Sequence, residues 1–271
     1  MTTSIAQNLE KLFALENKVI MLTGATGGIG EVLAEGFAAA GGTMALCDLD
    51  ASKMQALAGR IQANGGTAGC YHLNLAEMDS IHHCVNQVMA EHGRIDVLVN
   101  CAGINKREGF LDVEEATYDR IMDVNLNGVY FTSQQVARHM IKEKNGNIIN
   151  VSSHNAVGML GGCSVYGASK SGIAALTRSM AVEWAQYGIR ANALAPGHIL
   201  TALTTVTWEH PERSAYLRER IAMQRPGAPE ELLGVAVMLA SDSSSYMSGM
   251  MMHVDGGCLA GGAPWPYDTR Y

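Results

Sequence analysis

The sequence predicts a single α/β domain of the doubly wound type, a parallel sheet with helices on both faces. Three observations carry this expectation. Short apolar runs alternate with segments of helical period from Lys18 onward, and such alternation implies βαβ units with right-handed crossovers. The composition is 48% hydrophobic but only 6% aromatic, with 30 glycines, which suits buried parallel strands joined by tight turns. The length of 271 residues fits one large domain better than two ordinary ones, and residues 1–271 contain no repeat, low-complexity tract or linker.

The elements follow in order. Val19–Thr23 reads as the first strand, and Val32, Leu33, Phe37 and Ala38 mark one face of the helix after it. Thr43–Cys47 is the second strand, followed by a helix over Ala51–Ala63. Strands at Thr67–Leu73 and Asp96–Asn100 flank a helix around Ile81–Ala90. A long helix over Glu114–Lys142 leads to a strand at Asn147–Val151, and a second over Ser164–Tyr187 leads to a strand at Ile189–Leu194. A helix over Glu230–Ala240 and a strand at Met250–Val254 complete the pattern. Two segments stand apart. Thr201–Gly227 is a long polar connection with charged helical stretches, expected to form a substrate flap over a pocket. The tail Gly261–Tyr271 is expected to pack as irregular chain against a neighbouring subunit.

The charge balance, 19 basic against 26 acidic residues for a net −7, gives a nucleic-acid partner no support. The six cysteines form no CxxC pair and the nine histidines fall into no HExxH spacing, so no metal site is expected. Met1 to Leu12 has no apolar signal core, and no run approaches the roughly 18 apolar residues of a membrane span. The reducing cytoplasm is the expected location.

Thr23-Gly24-Ala25-Thr26-Gly27-Gly28-Ile29-Gly30 falls where the first strand turns into the first helix of the alternation. Unpaired N–H groups and the positive end of the helix dipole make such a turn an anion site. Gly24 permits the tight turn, Gly28 lets backbone approach a pyrophosphate, and Gly30 lets the helix lie close on the strand. The second strand ends at Asp48, 20 residues beyond Gly28, where a carboxylate can accept hydrogen bonds from adenosine ribose hydroxyls. A 2′-phosphate there would meet a like charge, so NAD is the expected cofactor.

Tyr166 and Lys170 are four residues apart at the start of the second long helix, hence on one face. A free phenol has a pKa near about 10, and a neighbouring ammonium favours the phenolate. Tyr166 can then act as general base for alcohol oxidation and as general acid in reverse. Such a pair is common by chance, but Ser153, at the end of the preceding strand, adds a hydroxyl able to hold a substrate oxygen.

Tyr166, Lys170, Ser153 and Asn125 resemble the Asn-Ser-Tyr-Lys tetrad of the short-chain dehydrogenases/reductases. The resemblance covers nearly the whole chain: TGxxxGIG at Thr23–Gly30, Asn100-Cys101-Ala102-Gly103, Pro196-Gly197 and Asp255-Gly256-Gly257 occur in family order. It implies one doubly wound Rossmann domain with a seven-stranded parallel sheet, assembled as a homotetramer through two long helices. It implies that Asn125 holds a water in a proton relay from Lys170, and that Lys170 also grips the nicotinamide ribose. Gly24, Thr26, Gly27, Gly28, Ile29, Gly30, Asp48, Leu49, Asn74, Leu75, Asn100, Ala102 and Gly103 would contact the dinucleotide, and Pro196, Gly197, Ile199 and Thr201 its carboxamide end. Asn74 stands where many members carry Asp, and Cys101 replaces the second Asn of the usual NNAG, as a buried thiol. Within the family the chain looks similar to sugar-acid and polyol dehydrogenases of the gluconate 5-dehydrogenase type. Arg107 could pair with a small-molecule carboxylate, and His154 and His198 with hydroxyls. A 3-oxoacyl thioester reductase is the alternative, although Asp48 and Val182 fit it less well.

Overall fold

The computed structural model describes residues 5–263; residues 264–271, and with them the predicted packing of the tail, lie outside the described residues. An N-terminal helix α1 (Ile5–Phe13) precedes the alternating pattern. The strands are β1 (Val19–Thr23), β2 (Thr43–Asp48), β3 (Thr67–His72), β4 (Val97–Asn100), β5 (Gly146–Val151), β6 (Ile189–Pro196) and β7 (Met251–Val254). They form one seven-stranded sheet in the order β3-β2-β1-β4-β5-β6-β7, every pair parallel.

The five central strands, β2, β1, β4, β5 and β6, are buried because each supplies apolar residues to both faces, whereas the edge strands β3 and β7 are only partly covered. Ile20 and Leu22 join one core with Leu33 and Phe37 of α2 (Gly28–Ala39) and Leu57 of α3 (Ala51–Ala63). Met21, between them, joins the opposite core with Val85 of α4 (Met78–His92). The first core also receives Leu239, and the second Val136, Met140 and Met180, from the later helices. The order in which the chain adds strands reverses at β1, running outward through β2 and β3 on one side and through β4 to β7 on the other, and this switch opens a crevice at the carboxyl ends of β1 and β4.

The predicted single helix over Glu114–Lys142 is three pieces in continuous chain: α5 (Glu115–Met122), a π-turn at Asp123–Asn127, and α6 (Gly128–Glu143). The π-turn inserts an extra residue without breaking the helix, a feature common at functional sites. The helix predicted over Ser164–Tyr187 is α7 (Ser164–Trp184) followed by a 3₁₀ turn. Residues 201–227 contain α8 (Thr205–Trp208) and α9 (Pro211–Arg220). The last predicted helix opens with a 3₁₀ turn at Pro229–Leu232, and α10 spans Leu233–Ala240. Among the described residues no helix is long and apolar enough to cross a membrane.

Candidate active site

The β1–α2 turn is built by contacts only glycine tolerates. Gly24 is left-handed (φ +68°), and a Cβ there would stand 2.6 Å from Ala102 Cα. A Cβ on Gly30 would stand 2.0 Å from the Gly24 carbonyl oxygen. Thr23 Oγ1 accepts from the Cys101 and Ala102 N–H groups (3.2 and 3.3 Å), tying the loop after β4 to the end of β1. No side chain caps the N-terminus of α2, so its free N–H groups face the crevice. This cradle fits a dinucleotide pyrophosphate.

Asp48 closes the other side. Its Oδ2 accepts from the Thr26 N–H (2.9 Å) and its Oδ1 from the Leu49 N–H (2.7 Å). The carboxylate therefore fixes the glycine turn and keeps lone pairs for ribose hydroxyls.

A cleft of about 510 Å³ runs from this turn to Trp208 and Leu217. All the predicted dinucleotide residues line it except Asn100, and so do Ser153, Tyr166, Lys170, Arg107, His154 and His198. The two exceptions, Asn100 and Asn125, lie one layer behind. Asn100, expected against the dinucleotide, is 1% exposed and donates to Ser133 Oγ (3.0 Å) and Asn150 Oδ1 (2.8 Å). Its place on a strand buried on both faces turns the amide into the sheet. Asn125 is fully buried in the π-turn. Its Oδ1 accepts from the Ile104 N–H (2.8 Å) and its Nδ2 donates to the Ile104 carbonyl (2.9 Å). Asn74 lines the cleft, but its amide already holds its own turn, accepting from the Ala76 N–H (3.1 Å) and donating to Glu77 (2.7 Å).

Ser153 follows β5, is 6% exposed, and accepts from the Asn155 N–H (3.1 Å). Tyr166 and Lys170 project from the first turns of α7, the ammonium 5.7 Å from the phenol ring centroid. Lys170 Nζ donates to the Val151 carbonyl (2.8 Å). Burial is the main influence on both groups. It pushes the Tyr166 phenol up, against a smaller downward pull from its hydrogen bond with Ser153. It pushes Lys170 down to about 8. The expected acidifying effect of Lys170 is not among the influences on the phenol, and desolvation disfavours the phenolate more than Ser153 favours it. Cys101, expected as a buried thiol, is partly exposed on the cleft wall, and desolvation pushes its thiol up to about 12.

The lowered lysine has a consequence for stability. Its folded-state pKa lies below the ordinary 10.5, so between pH 8 and 10.5 the unfolded chain binds the proton more tightly and stability rises with pH. Urea unfolding is expected to show wild type gaining about 3 kcal/mol on Lys170→Met across that window. A gap independent of pH contradicts the assignment.

On the substrate side, Arg107 Nη1 donates to Thr207 Oγ1 (3.2 Å). The His154 and His198 rings lie 4.5 Å apart, and His198 meets Trp208 edge-on at 6.3 Å. Thr204, Thr207 and Trp208 of the 201–227 segment face the cleft, whereas Thr205 and His210 do not line it. Sequence reasoning did not single out Leu160, Cys163 or Leu217, which also line it; their apolar character carries no signal beyond core packing.

A family model described as enoyl-(acyl carrier protein) reductase matches residues 24–258. The 3-oxoacyl-(acyl-carrier-protein) reductase FabG of Thermotoga maritima is 40% identical, over 90% of this chain and 99% of that protein. The 2-dehydro-3-deoxy-D-gluconate 5-dehydrogenase of Escherichia coli is 39% identical, over 92% and 98%. The crystal structure of a gluconate 5-dehydrogenase from Burkholderia cenocepacia, in complex with NADP and tartrate, superposes with a TM-score of 0.90 at 35% identity, over 93% and 99%. Coverage of this extent makes the chain a member of the short-chain dehydrogenase/reductase family, an NAD(P)-dependent oxidoreductase acting on CH–OH groups.

Proposed function

We propose that the protein is an NAD-dependent dehydrogenase interconverting a secondary alcohol and a ketone on a sugar acid or related polyol. The observation that carries this reading is the Tyr166 phenol, next to the Lys170 ammonium and lining, with Ser153, the same cleft as the glycine turn. An oxidised nicotinamide held in the cleft would supply the hydride acceptor and a second positive charge beside Tyr166. Ser153 holds the substrate hydroxyl. Tyr166 takes its proton, and returns one in the reverse direction. Lys170, charged at neutral pH, supports the phenolate and grips the ribose. Asn125 holds the Ile104 peptide from both sides and donates to Ser169 Oγ, which ties the loop after β4 to the start of α7. The flap of residues 201–227 presses Thr207 onto Arg107, which aims the guanidinium at a substrate carboxylate.

Support for a sugar acid comes from the Escherichia coli and Burkholderia relatives, both named for gluconate-type 5-dehydrogenation. The Thermotoga relative favours a 3-oxoacyl thioester instead. Val182, 80% exposed on α7, weighs against the thioester, because an acidic carrier would meet an arginine there, whereas exposed Arg138 on α6 suits such a carrier. NAD is preferred because Thr26 and Leu49, the residues bonded to Asp48, bring no cation to a 2′-phosphate. Exposed Tyr118, Tyr130 and Val182 on α5, α6 and α7 suit a homotetramer built on those helices.

One kinetic panel tests this reading: aldonates, polyols and a 3-oxoacyl thioester, each with NAD(H) and NADP(H). The expected result is turnover of aldonates with NAD. The Asp48→Ala/Leu49→Arg double variant is expected to shift the kcat/KM ratio toward NADP by tenfold or more, about 1.4 kcal/mol. Turnover confined to the thioester with NADPH refutes the proposal.

A further inference from the structure

We propose that His154, His198 and Cys258 form a zinc site on the wall of the cleft. Separated by 44 and 60 residues, they show no ligand spacing in sequence. The fold brings them together because parallel strands end side by side: His154 follows β5, His198 follows β6 and Cys258 follows β7. Their ligand atoms lie within 4.8 Å of one another. Tetrahedral zinc with bonds of about 2.0–2.3 Å needs its ligand atoms roughly 3.3–3.6 Å apart. Side-chain rotations of roughly an ångström therefore close the set. Two imidazoles and a thiolate are a donor combination that zinc favours over the oxygen-seeking cations.

The surroundings hold these three groups as outer partners of a metal site do. His154 Nδ1 lies 3.3 Å from the Pro196 carbonyl. A carbonyl only accepts, so Nδ1 carries the proton and Nε2 keeps a free lone pair. His198 is wedged between the His154 ring and Trp208. Asp255 braces the turn that presents Cys258, its Oδ1 accepting from the Gly257 N–H (2.9 Å) and its Oδ2 from the Leu259 N–H (3.0 Å). All three ligands line a second cavity of about 310 Å³, and both histidines also line the main cleft. A fourth position is thus open to water, the pattern of a site with an exchangeable ligand. Binding replaces the Cys258 S–H bond with an S–Zn bond and releases the proton to solvent.

Cobalt(II) and zinc(II) titrations of the chelator-treated full chain test the site. Wild type is expected to bind one metal per chain and to show a thiolate-to-cobalt charge-transfer band with the visible bands of tetrahedral cobalt. Cys258→Ser is expected to lose the charge-transfer band. Cys258→Ser and His198→Gln are each expected to lower zinc affinity by at least the ~10-fold that loss of an outer partner costs. Tyr166→Phe is expected to bind zinc as wild type does, so this result is independent of the catalytic reading. A wild type without the charge-transfer band overturns the site, whether or not the variants fold. So does wild-type zinc affinity in either folded variant.

Discussion

Tyr166→Phe is expected to lower kcat and kcat/KM together by about 10²–10⁴-fold, with dinucleotide affinity changed by no more than a few-fold. The substitution removes one oxygen. The ring keeps its half-buried place beside Lys170, and the lysine keeps its bond to the Val151 carbonyl. The glycine turn and Asp48 are untouched. What is lost is the group that accepts the proton as the carbinol hydride leaves, an interaction made only in the transition state. Steady-state kinetics with a fluorescence titration of the reduced dinucleotide separate the two effects. Unchanged turnover would make the cleft a binding site rather than a proton-transfer site.

Gly30→Ala is expected to destabilise the protein and to weaken dinucleotide binding by tenfold or more. Glycine in a helix interior ordinarily costs roughly 0.8–1 kcal/mol against alanine, and that is an upper bound for Gly30 in the first turn of α2, so intrinsic propensity favours the change at most by this amount. Sterics oppose it. The new Cβ would lie 2.0 Å from the Gly24 carbonyl oxygen and 3.0 Å from its carbon. The turn cannot retreat, because Gly24 donates to the Cys47 carbonyl (2.9 Å) and lies against Ala102. Overpacking typically costs about 1–3 kcal/mol, which exceeds the propensity gain, and at roughly 2–4 °C per kcal/mol the melting temperature falls by several degrees. Gly59→Ala is the internal control. It lies in α3 with nothing within 4 Å of its would-be Cβ, and is expected to stabilise slightly. A Gly30→Ala protein as stable as Gly59→Ala would contradict the description of the turn.

These two sites show what the sequence makes legible. Strand positions were readable because buried parallel strands are near-continuous aliphatic runs, and β1 and α3 begin and end at the predicted residues. The glycine turn and the proximity of Tyr166 and Lys170 were readable because both arrangements depend on local spacing. The π-turn was not, since one inserted residue barely disturbs a helical period, yet it is what buries Asn125 against Ile104. The inward turn of Asn100 was also hidden, because an asparagine ending a strand looks alike whether its amide meets a ligand or Asn150. The balance of influences on Tyr166 depends on how deeply both groups are buried, which spacing does not encode. The His154–His198–Cys258 cluster exists only once three strands lie side by side.

The most direct test of the account follows the hydrogen itself. An aldonate carrying deuterium on the carbinol carbon is oxidised with NAD, and the reduced dinucleotide is analysed by mass spectrometry. The account predicts that the deuterium appears in the dinucleotide with wild type, and that Tyr166→Phe forms this product at a rate lower by two or more orders of magnitude. Deuterium released to water, or equal rates for the two proteins, would contradict it.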